Sequence, residues 1–400
     1  LDQIQIIVQP SLGHQPFGLA SPAAWLEDAG AEVACLDLAV ERIDEAAVKA
    51  AGLIAFHIPM HTATRLAMEM VPKIRTINPT ATLCFYGLYA PLNEAVLREL
   101  GADLILGGEY EDGLTTAYKR LLESGGSIQT EPLISTAKQA FRIPRRKTLP
   151  KLNQYAHLNM GNGETRTAGY TEASRGCKHF CRHCPVVPVY EGKFRIVAKD
   201  VVMADVRAQV EAGAQHITLG DPDFFNGPGH ALPLIEQFHT QFPNITYDAT
   251  IKVEHLLKYA SHMETLVRTG CLFVTTAVES VDDQILDLLN KGHTRDEFVR
   301  VTKLARDAGL VLSPTFVPFL PWTTVDGYVD LLALLAELDL IGYVAPVQLS
   351  IRLLIPQGSH MLKVDGMEEF ITGHDSGELS YQWRHPDPRM DQLHKDVTAL

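Results

Sequence analysis

The sequence is short of the features that mark secreted, membrane-spanning or globally nucleic-acid-binding proteins. Six cysteines in 400 residues are too few for a disulfide-framed mini-protein. No run of 18 or more apolar residues occurs, which argues against a spanning helix. Leu1-Asp2-Gln3 lacks a charged region followed by an apolar stretch, so no signal peptide is expected and the chain reads as cytoplasmic, in a reducing compartment. Positive charge is in deficit, with 35 Lys plus Arg against 48 Asp plus Glu and a net charge of −13. A global basic footprint for nucleic acid or an anionic membrane is thereby excluded. Phe141-Arg142-Ile143-Pro144-Arg145-Arg146-Lys147 is the one basic cluster. No short-period repeat is present.

What is there is ordinary globular composition, 46 % hydrophobic and 21 % charged, enough to build sizeable cores. At about 100–200 residues per domain, the length points to two or three domains. Residues 4–8, 33–38, 53–57, 82–86 and 104–106 read as short strands. Between them lie helical stretches, one opening at Ser21-Pro22 and closing at Gly30, the others near 62–77, 92–100 and up to 122. This alternation predicts a doubly wound, Rossmann-like parallel sheet over residues 1–123. Periodicity fades over 124–167, which reads as a linker. A second alternation has strand signals at 168–174, 216–219, 245–250, 272–278, 312–316 and 347–354. Helices are expected at about 199–212, 230–242, 253–269, 282–308 and 324–338, with a capping box at Thr294-Arg295-Asp296-Glu297. Six βα units predict a partial (β/α)6 barrel over 168–355. Residues 356–400 form a cap or a loosely held end.

The strong chemical signal is Cys177-Lys178-His179-Phe180-Cys181-Arg182-His183-Cys184. Three thiols fall within eight residues, directly after the first barrel strand, at the face where barrel active sites sit. Soft thiolates select zinc or an iron–sulfur cluster, and three ligands leave one metal position open. A closed zinc site would need His179 or His183 as fourth ligand. Cys35, Cys84 and Cys271 lie in apolar runs and read as inert buried thiols.

Cys-x3-Cys-x2-Cys, led by Glu172-Ala173-Ser174-Arg175-Gly176, resembles the hallmark of radical S-adenosylmethionine (SAM) enzymes. The resemblance implies that Cys177, Cys181 and Cys184 hold a [4Fe-4S] cluster whose fourth iron is chelated by SAM. It implies one-electron reduction of the SAM sulfonium, with an electron donor such as flavodoxin or ferredoxin. It places His183 near the adenine. Gly220-Asp221-Pro222-Asp223 stands where the family binds the SAM amino group, which makes Gly220, Asp221 and Asp223 candidates. Ala277-Val278-Glu279-Ser280 resembles a Gly-x-Glu-Ser motif of relatives with cobalamin-type domains, and Lys291-Gly292-His293-Thr294 fits the same subgroup. Glu279 and Ser280 are thus candidates for SAM's ribose or methionine part. Gln348, Ser350 and Arg352 would share one face of the last strand, with Arg352 meeting a SAM or substrate carboxylate.

The N-terminal sheet followed by a barrel resembles the cobalamin-binding-type architecture. The usual Asp-x-His-x-x-Gly motif is replaced by Ser11-Leu12-Gly13-His14-Gln15-Pro16-Phe17-Gly18. Gly87 is one of the two glycines often found where the nucleotide tail enters, and His57 and His61 flank the loop after the third strand. Cobalamin is a further candidate cofactor. Residues 220–230, Lys252-Val253-Glu254-His255 and 346–354 resemble the CUAEP/CCAEP-tail radical SAM group, near arsinothricin-pathway enzymes that transfer the 3-amino-3-carboxypropyl group of SAM to arsenite. No cysteine follows Cys271 in the 400 residues. The expectation is a radical SAM transferase acting on a small molecule, without nucleic-acid or membrane partners. The alternatives are a cobalamin-dependent methyltransferase and a non-catalytic binding module stabilised by zinc or a cluster.

Overall fold

Short apolar runs alternating with helices in the first 124 residues produce one parallel sheet. In this computed structural model, residues 3–8, 13–124, 129–161 and 163–400 are described. Ser11 and Leu12, and the Gly125-Gly126 pair of the expected linker, lie outside them. The chain divides into two units, residues 1–173, 195–218 and 376–379, and residues 174–194, 219–375 and 380–400.

In the first unit, strands β1 (Gln3–Val8), β2 (Glu32–Asp37), β3 (Leu53–His57), β4 (Thr82–Tyr86), β5 (Leu104–Gly108) and β6 (Ile134–Ser135) form a sheet of order β2-β1-β3-β4-β5-β6. All its pairings are parallel. β3, β4 and β5 are buried at every position, as continuous apolar runs require when helices cover both faces. β6 comes from the stretch expected to be a linker. That stretch also supplies His157–Asn159, which pairs antiparallel with Thr165–Thr171.

The first helix, α1 (Phe17–Asp28), begins earlier than Ser21-Pro22 predicts, and Pro22 lies inside it. Proline there removes the N–H that would bond to the Gly18 carbonyl. The Tyr86 hydroxyl donates to that carbonyl at 2.7 Å instead, so the apparent start signal is a repaired helix interior. Gly18 also has no room for a side chain, because a Cβ would sit 2.0 Å from the His57 ring. Tyr86→Phe is therefore expected to cost ~1–3 kcal/mol, the penalty for a buried acceptor left unmet, read from denaturant midpoints at unchanged slope.

The basic cluster is spent internally. Arg146 makes a two-pronged pair with Asp205 at 2.6 and 2.8 Å and donates to the Tyr170 carbonyl at 2.7 Å. Arg145 pairs with Glu27 at 3.1 Å, and Arg142 lies 3.5 Å from Asp28 with its guanidinium over the Trp25 ring.

In the second unit, Thr246–Thr250, Cys271–Glu279 and Val311–Phe316 pair in parallel, in that order. Helices form at Lys199–Glu211, Pro228–Gln241 and Val325–Glu337 as expected, but the two longest ones expected, 253–269 and 282–308, are each broken. Val253–Lys258 and Met263–Arg268 are separated by the turn Ala260–His262. Asp283–Leu288 and Arg295–Asp307 are separated by Asn290 and Gly292, both at positive φ. The Thr294–Glu297 capping box is formed.

The expected sixth strand at 347–354 is absent. Pro346–Leu349 is a 3-10 turn, and only Arg352 makes a single bridge, to Phe319. Gln348 Oε1 accepts from the Phe316 N–H at 3.1 Å, so a side chain occupies a backbone donor that a pairing strand would have used. Gln348, Ser350 and Arg352 thus do not line one face of a strand. The chain's end is held in place: Ile371–Asp375 and Ser380–Trp383 form a hairpin, and Met390 of helix Pro388–Thr398 packs on Phe319 and Tyr328. Among the described residues no helix is long and apolar enough to cross a membrane.

Candidate functional site

The cysteine loop leaves the short strand Ser174–Gly176 through a residue that must be glycine. Gly176 has φ +70°, and a Cβ on it would lie 2.4 Å from both the Lys193 carbonyl oxygen and the Tyr190 ring. The loop is then pinned along its length. The Lys178 N–H donates to Asn226 Oδ1 at 3.2 Å, and its ammonium donates to the Asn226 carbonyl at 2.6 Å. Asn226 Nδ2 donates toward Cys177 Sγ at 3.5 Å. The Arg182 N–H donates to the Leu289 carbonyl at 2.9 Å, and Asn290 Nδ2 to the Phe180 carbonyl at 3.0 Å. Backbone and side-chain anchors thus fix the shape of the segment that carries the thiols.

Burial pushes the Cys177 thiol above its ordinary value and Cys184 up to about 12. Thiols so placed are protonated at neutral pH unless a cation joins them, the condition that a metal centre satisfies. Cys35 is pushed to about 12, and Cys84 and Cys271 are raised, in each case first by burial. None of these three has a second cysteine beside it in sequence.

Behind the loop sits a buried ion pair. Glu279 ends its strand at φ +70°, with Lys291 Nζ 3.3 Å and His183 Nε2 3.1 Å from its Oε1. Burial alone would raise the Glu279 pKa, but Lys291 and then His183 hold it down to about 2. Burial disfavours the Lys291 ammonium, yet Glu279 followed by Cys181 raises its pKa overall. Lys291 in turn favours the thiolate form of Cys184. The helix break at Asn290–Gly292 is what turns Lys291 inward.

Asp221 is buried and accepts from the Ser174 hydroxyl. Asp223 heads the turn Phe224–Asn226, its Oδ1 accepting from the Phe225 N–H at 3.2 Å. Its Oδ2 lies 2.7 Å from His255 Nδ1 and 3.3 Å from His179 Nε2. Burial pushes Asp223 up, but the imidazoles prevail and hold it at about 2. Gly220 precedes these carboxylates at the end of strand His216–Leu219. The Ser280 hydroxyl accepts from the Asp282 N–H at 3.1 Å. Arg352 does not reach this group as expected. Its guanidinium donates to Asp391 at 2.7 Å and to the Trp383 carbonyl at 3.0 Å, and stacks 3.6 Å over the Trp383 ring. The anion it requires comes from the C-terminal helix.

Sequence reading picked out the cysteines, His183, Asp223 and Glu279. It left out Asn226 and His255 as site residues, and used Lys291 only as a motif match. The signal for Lys291 was its place in Asn290-Lys291-Gly292, a helix-breaking tripeptide inside an apparent helix. In the first unit, His57 is buried, its ring 5.2 Å from Tyr86 and 6.1 Å from Tyr110. His61 Nε2 lies 2.5 Å from the Glu378 carbonyl oxygen.

Comparison with known proteins finds similarity in family and in fold. Residues 171–335 match the family described as the Radical SAM superfamily. A tRNA-2-methylthio-N(6)-dimethylallyladenosine synthase of Desulfosudis oleivorans is 23 % identical over 213 residues, 51 % of this chain and 45 % of that protein. Among solved structures, the cobalamin-dependent SAM radical enzyme OxsB, with aqua-cobalamin and SAM bound, matches with a TM-score of 0.78 at 14 % identity, covering 99 % of this chain and 66 % of that one. The radical SAM methyltransferase TsrM from Kitasatospora setae, with cobalamin and a [4Fe-4S] cluster bound, matches with a TM-score of 0.64 at 14 % identity, over 84 % of this chain and 70 % of that one. The chain therefore spans two thirds or less of the length of OxsB and of the synthase. Residues 171–335 thus resemble a radical SAM domain, a class that works with SAM and a [4Fe-4S] cluster, and the α/β fold is similar to those of OxsB and TsrM. The donor set fits a cluster: three soft thiols on one pinned loop, with a buried ammonium that favours the thiolate of Cys184.

Proposed function

We propose that the protein is a radical SAM transferase acting on a small molecule, with its cluster held by Cys177, Cys181 and Cys184. The observation that carries this reading is the pinned three-thiol loop backed by the Glu279–Lys291–His183 ion pair. A [4Fe-4S] cluster held in that loop would supply one electron to the SAM sulfonium. Glu279 stays ionised and fixes His183, the residue set beside the adenine in this reading. Ser280 follows Glu279 directly and offers a hydroxyl to the ribose. Gly220 and Asp221 would receive the SAM ammonium group, the glycine permitting close approach and the carboxylate matching its charge. Arg352 serves instead as a structural tie to Asp391. Flavodoxin or ferredoxin supplies the electron.

The N-terminal sheet belongs to the cobalamin-binding type in this reading, supported by the folds of OxsB and TsrM. His57 packs against Gly18, Tyr86 and Tyr110, so a cobalamin bound there would not take it as a ligand without repacking that nest. The transferred group follows from which sulfonium bond breaks, and the SAM-derived product reports it. Anaerobically reconstituted protein, given SAM and a reductant, is expected to cleave SAM; 5′-deoxyadenosine as the product would make SAM the radical source, with the transferred group drawn from another reactant. Methylthioadenosine would assign transfer of the 3-amino-3-carboxypropyl group, with arsenite as acceptor to try first. S-adenosylhomocysteine together with bound corrinoid would assign methyl transfer. Fully iron-loaded protein that leaves SAM intact would contradict the enzymatic reading and favour a cluster-stabilised binding module.

A further inference from the structure

We propose that His179, Asp223 and His255 form a site for one divalent first-row transition-metal ion, distinct from the cluster. His179 Nε2, Asp223 Oδ2 and His255 Nδ1 all lie within 4.8 Å of one another. Asp223 Oδ2 is 3.3 Å from the first imidazole and 2.7 Å from the second. These atoms are buried, yet none makes a hydrogen bond of acceptable direction. Side chains of this kind, buried and close but not aimed along N–H···O lines, are what a ligand set looks like around a missing centre. The Asp223 side chain is fully buried, and a buried carboxylate needs a counter-charge.

The spacing of each imidazole from the carboxylate suits a tetrahedral ion. Zinc bonds of about 2.0–2.1 Å place neighbouring ligand atoms roughly 3.3 Å apart. The 3.3 Å contact already has that spacing, and the 2.7 Å contact need open only slightly. The surroundings also match. The other ring nitrogen of His179, Nδ1, lies 3.4 Å from Glu254 Oε2. A carboxylate behind a ligating histidine is the usual second partner, fixing tautomer and ring orientation. Asp223 is held from its other oxygen by the Phe225 N–H, which leaves Oδ2 for the ion. Two imidazoles and a carboxylate select zinc or ferrous iron over calcium or magnesium, and leave a fourth position for water.

The site has a role apparent from its position. His179 stands between Cys177 and Cys181, Asp223 heads the turn that carries Asn226, and His255 lies in helix Val253–Lys258. One ion would clamp the cysteine loop to both neighbouring segments. It would act as a structural pin and is not required to touch substrate.

The probe is Zn2+ or Co2+ alone, added to anaerobically reconstituted protein and followed by desalting and metal analysis. One ion per chain beyond the cluster iron is expected, and with Co2+ the visible bands of a four-coordinate centre. His255→Ala and Asp223→Asn should lose that ion while keeping the cluster's iron and absorbance. Cys181→Ala should lose the cluster and keep the ion, which separates this site from the cluster reading. The proposal is overturned if wild-type protein with its cluster intact retains no second ion. It is equally overturned if both His255→Ala and Asp223→Asn retain it. The wild-type stoichiometry decides the matter even where a variant fails to fold.

Discussion

Replacing Lys291 with methionine is expected to destabilise the protein by ~3–5 kcal/mol, the cost of leaving a buried carboxylate without its partner. Lys291 and Glu279 are 3 % and 10 % exposed at their side chains, so solvent screens the pair little. Methionine keeps the length and apolar volume of the lysine stem, which isolates the charge. In the Lys291→Met protein the Glu279 pKa rises, because the strongest opponent of burial is gone and only His183 still holds it down. Adding Glu279→Gln should recover much of the loss, since the double variant buries no net charge. The pH dependence has a definite sign. Glu279 is held at about 2 in the fold against 4.5 for the free group. Its contribution is fully present above pH 4.5 and is lost as pH falls through that window toward 2. His293 works in the same direction for a different reason. Burial first, then Lys291, depresses it from 6.5 to about 4, so stability falls as pH drops between those values. Denaturant titrations at several pH values would read both effects. A Lys291→Met protein within ~0.5 kcal/mol of the parent would mean that the pair is solvated and not a structural element.

Legibility in the sequence followed the range over which each signal acts. Strands at 53–57 and 82–86 were readable to the residue, because a strand buried on both faces is a continuous apolar run bounded by polar residues. The start of α1 was misread because Pro22 mimics a first-turn proline, and the compensating hydroxyl of Tyr86 lies 64 residues away in the chain. The segment 347–354 alternates like a strand, but its start, Pro346–Leu349, is a 3-10 turn, and the Gln348 side chain takes the backbone donor of Phe316. The cysteine loop was legible because all its ligands are local. His255 and Lys291 were not, since their roles arise only when separate segments meet Asp223 and Glu279. Arg352 shows the converse. Its spacing pointed inward, while its true partner, Asp391, lies on a helix whose position sequence periodicity does not give.

Removing any one of Cys177, Cys181 and Cys184 is expected to have the largest functional effect. A cluster held by three thiolates loses a strong soft-ligand bond with each substitution, and nearby His179 and His183 are engaged with Asp223, Glu254 and Glu279. Iron content should collapse and reductive SAM cleavage should fall to the rate without enzyme. Cys35→Ala, Cys84→Ala and Cys271→Ala are the controls. They remove buried thiols remote in sequence from the loop and should cost stability through lost packing while leaving iron per folded chain unchanged.

The most direct measurement places wild type and Cys181→Ala side by side, prepared anaerobically, with iron per chain and SAM-derived product counted on the same samples. About four irons and reductant-dependent product in the wild type, with both absent from the variant, is the expected result. Equal iron and equal SAM breakdown in the two proteins would contradict the assignment of this loop as the cluster's seat.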